Sequence, residues 1–105
     1  MASTDIPLIE STSVEPLKVT LEADTDPTAT TPEFGVTAVD AADPSGVWEA
    51  GSWISTWAAQ TGWVSAHSAT LGAAGADLPV AGGSDYLLWI RYGAVIKPCR
   101  IFRVR

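Results

Sequence analysis

The sequence predicts an all-β fold: an antiparallel β-sandwich of immunoglobulin-like layout with six or seven short strands. Three observations carry that expectation. Turn signals recur about every eight to twelve residues, apolar and polar residues alternate between them, and no stretch makes a convincing helix. The chain has 105 residues, 47% hydrophobic and 17% charged. That is enough apolar material for one core in one domain, and too much for a chain that stays disordered.

In chain order, residues 1–16 are expected as an extended N-terminal arm ahead of a β-sandwich domain at 17–105. Ser3-Thr4-Asp5 and Ser11-Thr12-Ser13 are polar, Pro7 and Pro16 forbid a helix, and Ile6, Leu8 and Ile9 form a small apolar island. Leu17, Val19 and Leu21 alternate with Lys18, Thr20 and Glu22 as a half-buried strand. Ala23 to Pro32 reads as a turn-rich loop, and Phe34, Val36 and Ala38 alternate again to about Val39. Asp43-Pro44-Ser45-Gly46 carries proline and glycine where a type I or II turn favours them.

Val47 to Ala58 is ambiguous, because Trp53 and Trp57 are four apart, whereas Trp53, Ser55 and Trp57 also alternate. Gly51 and the density of tryptophan disfavour a helix, so strand with a break near Gly51 is the better reading. Gln60-Thr61-Gly62 turns the chain, and Trp63, Ser65 and His67 alternate with Val64, Ala66 and Ser68 toward Leu71. Gly72-Ala73-Ala74-Gly75 reads as a loop, Leu78-Pro79-Val80 as a short edge segment, and Gly82-Gly83-Ser84 as a turn. Asp85 to Tyr92 is apolar on both faces and is expected at the centre of a sheet. Gly93 to Pro98 should turn back into a return strand over Cys99 to Val104.

The formal net charge is -6 and it is polarised. Residues 1–49 hold ten acids against Lys18 alone, whereas residues 91–105 hold Arg91, Lys97, Arg100, Arg103 and Arg105 with no acid. The acidic balance argues against nucleic acid as a partner, since such affinity comes largely from Lys and Arg. Opposite charges at the two ends can pair within the chain or set register between subunits, with Arg103 and Arg105 as candidate contacts. No apolar run is long enough for a membrane span, and the first residues lack the pattern of a signal peptide, so synthesis in the cytosol is expected.

Catalytic chemistry is not written in the sequence. His67 is the sole histidine; Ser65 shares its strand face, but no nucleophile elbow accompanies them. The glycine-bearing loops lack the lysine and helix of a phosphate cradle. Glu22, Asp24 and Asp26 lack the glycine and closing glutamate of a calcium loop. With one cysteine, Cys99, an intrachain disulfide is impossible and a zinc site is not supported. No catalytic, metal or cofactor residue is therefore assigned.

Five tryptophans are present, four of them between residues 48 and 63. Trp53 and Trp89 are expected in the core, and Trp48, Trp57 and Trp63 are candidates for exposure. Exposed indoles serve either protein interfaces or the stacking of sugar rings. The neighbourhood in sequence is Ala, Ser, Thr and Gly with only Glu49 and Gln60 nearby, which favours an interface. The candidate interface residues are thus Ile6, Leu8 and Ile9 of the arm, Trp48, Trp57, Trp63, Arg103 and Arg105.

Over residues 15–105 the chain resembles small β-sandwich structural proteins of tailed bacteriophage virions, especially those of actinobacterial hosts. The likeness rests on the Asp26-Pro27-Thr28 turn before Phe34-Gly35-Val36 and on the spacing of Pro44, Trp48 and Trp53. It also rests on the loop at 72–75 and on Asp85-Tyr86-Leu87-Leu88-Trp89-Ile90-Arg91 feeding a return strand. The resemblance implies a non-enzymatic virion component. A capsid decoration or minor capsid protein on the outer head lattice comes first, a head–tail neck or tail-associated protein second, and a glycan-binding attachment module is the alternative from another class. The partners implied are the major capsid protein or other virion subunits, with self-association into a homo-oligomer, and neither nucleic acid nor membrane.

Overall fold

The computed structural model describes residues 6–42, 44 and 46–105, and among these described residues it has eleven strands and no helix. In chain order they are β1 (Leu8–Ile9), β2 (Val14–Glu15), β3 (Lys18–Glu22), β4 (Glu33–Ala38), β5 (Glu49–Ala50), β6 (Ser52–Trp53), β7 (Trp63–His67), β8 (Leu71–Gly72), β9 (Leu78–Pro79), β10 (Ser84–Tyr92) and β11 (Val95–Val104). They form a five-stranded sheet in the order β1-β11-β10-β4-β5 and two three-stranded sheets, β2-β8-β9 and β3-β7-β6. Pairing is antiparallel except for β1 with β11 and β8 with β9.

One core is shared by the three sheets. Phe34, Leu88, Ile90, Tyr92, Phe102 and Val104 come from the five-stranded sheet, Val19, Leu21, Val64 and Ala66 from β3 and β7, and Leu71 and Leu78 from β8 and β9. Burial in β3 and β7 alternates strictly, so Lys18, Thr20 and Glu22 face outward beside Trp63, Ser65 and His67. The five-stranded sheet curls toward β3, where Lys97 Nζ donates to the Glu22 carbonyl at 2.6 Å and an Arg100 guanidinium nitrogen to that of Lys18 at 3.1 Å.

β10 lies at the centre of its sheet, as its two apolar faces require. β11 is longer than expected: the hairpin turns on Gly93 and Ala94 alone, with Gly93 at φ 59°. Pro98 is tolerated within β11 because it adjoins a bulge. Leu88 faces Arg100 and Trp89 faces Pro98, so Cys99 is the extra residue. The break near Gly51 is a change of sheet, β5 joining one and β6 another. A side chain at 51 would collide with the Phe34 ring and the His67 carbonyl, so only glycine lets the chain cross there.

The N-terminal segment corrects the expectation of an extended arm. From Ile6 onward it is part of the fold. Arg103 N donates to Pro7 O at 2.9 Å, Arg105 N to Ile9 O at 3.0 Å and Ser11 N to Arg105 O at 2.8 Å, which builds a parallel edge strand. Val14 then pairs with Gly72, and Ala73 N donates to Ser13 O at 2.8 Å. Pro7 fits because it lies at a sheet edge, where a missing N–H is least costly. Ser3-Thr4-Asp5 and the Asp43-Pro44-Ser45-Gly46 turn include residues outside the described ones.

Candidate interaction faces

Two outward faces emerge from this arrangement. On the five-stranded sheet, strand register aligns side chains opposite those that enter the core. One row holds Leu8, Arg103 and Asp85; the next holds Ile101, Leu87 and Thr37; then come Pro98, Trp89 and Gly35; the last holds Ile96, Arg91 and Glu33. The middle of this face is apolar, and Leu8, Ile96 and Ile101 are among the most exposed large hydrophobic residues of the protein.

Gly35 shapes the face. Having no side chain, it lets the Trp48 ring lie over the sheet, 3.4 Å from where a Cβ would stand. The Arg91 guanidinium stacks 4.5 Å above the Trp48 ring centroid and is held by Glu33 at 2.9 Å. Trp89 is 5% exposed, but it belongs to this outer face and not to the shared core, and its indole N–H donates to Thr37 Oγ1 at 2.8 Å. Trp89 is thus buried as expected, but on the outer side of the sheet and outside the shared core cluster, in register with Gly35 and Pro98. At the opposite end Arg103 makes a paired contact with Asp85, at 2.7 and 3.2 Å. That hydrogen bonding holds the Asp85 carboxyl below the usual carboxylate range and raises the Arg103 guanidinium.

The second face belongs to β3, β7 and β6. Trp63 is 48% exposed there, across from Glu22. Thr20 and Ser65 share a hydroxyl hydrogen bond at 3.0 Å, and Lys18, His67 and Ser52 form the next rung.

The other candidates distribute as follows. Trp53 packs against the core, its ring edge-on to Tyr92 at 5.8 Å and its N–H on the Thr30 carbonyl at 2.7 Å. Trp57, a candidate for exposure, packs against the core instead. Its N–H is shared between the carbonyls of Ala23 and Gly62, at 3.0 and 3.1 Å. Ile9, expected at an interface, is completely buried within its own chain, because parallel pairing with β11 turns it inward. Ile6, Leu8 and Arg105 are exposed. Sequence reasoning missed Leu87, Ile96, Ile101 and the Glu33–Arg91 pair; the both-sided apolar pattern of β10 was the one signal that could have flagged Leu87.

His67 and Ser65 lie on one outward face as their spacing implied, with the Ser65 hydroxyl bonded to Thr20. Among the described residues no three histidine, cysteine or acidic side chains gather as metal ligands. Asp26 Oδ1 accepts from Thr28 N at 3.0 Å and from its hydroxyl at 2.6 Å, bonds that lower the Asp26 pKa and tie it into a turn. Burial pushes the Cys99 thiol up to about 12, far from the range of a nucleophilic thiolate. No helix among the described residues is long and apolar enough to cross a membrane. Comparison with family models, curated proteins and solved structures finds no match.

Proposed function

We propose that this protein is a non-enzymatic structural subunit whose copies meet through the outer face of the five-stranded sheet. Within that reading it is a capsid decoration or minor capsid protein of a tailed bacteriophage virion, built on a sandwich of immunoglobulin-like layout. The observation that carries the association is the outward side of β10, which reads Asp85, Leu87, Trp89, Arg91. Its middle is apolar, and each end carries an ion pair made with a neighbouring strand, Asp85 with Arg103 and Arg91 with Glu33.

Such a stripe is complementary to itself. A two-fold axis lying between two facing sheets and running across β10 sets the row that holds the Asp85–Arg103 pair of one copy against the row that holds the Arg91–Glu33 pair of the next, and the row of Ile101 and Leu87 against that of Pro98 and Trp89. Trp48 and Arg91 supply residue types that dominate interface energetics, with Leu8, Ile96 and Ile101 around them. The two ion pairs would set register and orientation more than affinity.

The virion assignment rests on the resemblance of residues 15–105, and the net charge of -6 favours the outside of a DNA-filled shell, where phosphates do not repel the subunit. Immunogold negative-stain images of purified particles test it. Label over the head shell is expected; intact particles without label contradict the assignment.

A further inference from the structure

We infer that the outward face of the β3-β7-β6 sheet is a saccharide-binding platform centred on Trp63, separate from the association face. The ligand class is a neutral oligosaccharide of β-linked pyranoses whose ring faces present C–H groups to an indole.

An indole left 48% exposed on a regular strand keeps much of its apolar surface in water. Its surroundings do not resemble a protein hot spot: the rungs below it carry Thr20 with Ser65, then Lys18 with His67 and Ser52. Ile54, whose amide donates to Ser65 O at 3.0 Å, is exposed at that margin. Polar groups beside a flat ring suit a ligand that is apolar on its face and hydroxylated at its edge. Strand pairing supplies what the sequence neighbourhood of Trp63 lacks, by placing the Glu22 carboxylate across from it, 41 positions away in the chain. Successive rungs lie about 7 Å apart, two residues of strand rise, so the Glu22 carboxylate and the hydroxyls of Thr20, Ser65 and Ser52 fall along a line that an extended sugar chain can follow.

The platform is also held in place. Gly62 O accepts from Ala23 N at 2.8 Å and from the Trp57 indole N–H at 3.1 Å, and Trp63 O accepts from Ala58 N at 3.0 Å. The inward Trp57 thus braces the turn that carries the outward Trp63. A site held before the ligand arrives loses less entropy on binding.

The test is titration of the ¹⁵N-labelled full chain with cellohexaose and, separately, chitohexaose, followed by NMR. Saturable shifts are expected for the Trp63 indole N–H and for the amides of Glu22, Ser65 and His67 with at least one of the two sugars. Trp63→Ala should weaken binding by about tenfold or more and Glu22→Gln by several-fold, whereas Trp63→Tyr, which keeps a stacking ring, should retain most of it. Absence of shifts with both sugars overturns the inference, and so does binding that survives Trp63→Ala. Ile101→Lys, on the other sheet, should leave sugar binding unchanged, so failure of this site and failure of the association face read out separately.

Discussion

Replacing Ile9 by alanine tests whether the N-terminal segment is integral to the fold. Ile9 has no exposed surface and joins the shared core from a strand of two residues. The substitution deletes three carbon groups, about 2.4 kcal/mol at ~0.8 kcal/mol each. The cavity left behind raises the cost to roughly 3 kcal/mol, since large-to-small core changes of this type span about 2–5 kcal/mol. Unfolding entropy of about 2.1 cal/mol/K per residue makes that a fall in Tm of roughly 14 °C for a chain of this length. Leu8→Ala, one residue earlier and 42% exposed, should cost under about 1 kcal/mol. Urea unfolding with an unchanged m-value and differential scanning calorimetry report both variants. If Ile9→Ala melts within about 2 °C of the parent, the segment contributes no core and the reasoning fails.

Other outcomes follow from the same contacts. Gly72 sits at φ 127° with the Ser13 carbonyl where a side chain would go, so Gly72→Ala should unlatch β2 from β8 and cost about 2–4 kcal/mol, read as a loss of amide protection at Ala73. The half-buried Cys99 thiol, its pKa raised to about 12, should react slowly with iodoacetamide at pH 8 in the native protein and readily in urea. Because its folded pKa lies above the unfolded value, the native state holds a proton that the unfolded state releases. Stability should therefore fall as pH rises from about 8.5 toward 12, and Cys99→Ala should remove that part of the alkaline slope.

The strands with clear alternation were legible in the sequence. Lys18–Glu22, Glu33–Ala38 and Trp63–His67 alternate long enough to fix their faces, whereas Ser84–Tyr92, apolar on both sides, is legible as a central strand without showing which side meets the core. What escaped detection was of two kinds. β1, β2 and β8 have two residues each, too few for a period to show, and their partners lie far along the chain. The tryptophans escaped because composition does not state direction. Trp57 turns inward to brace Gly62, and Trp89 turns outward yet is buried. Glu22 beside Trp63, and Glu33 beside Arg91, become neighbours only through strand register. Charge polarity was informative in a limited way: Arg91 and Arg103 find Glu33 and Asp85, while Lys97 and Arg100 reach backbone carbonyls.

Association through the outer face of the five-stranded sheet is tested most directly by sedimentation velocity over a concentration series, comparing the unaltered chain with Ile101→Lys. Ile101 faces Leu87 at the apolar centre and is itself exposed, so a lysine there should leave thermal unfolding nearly unchanged. The unaltered chain should shift toward a dimer as concentration rises, and Ile101→Lys should stay a monomer throughout. A monomer at every concentration, or a variant that dimerises as readily as its parent, would contradict the account.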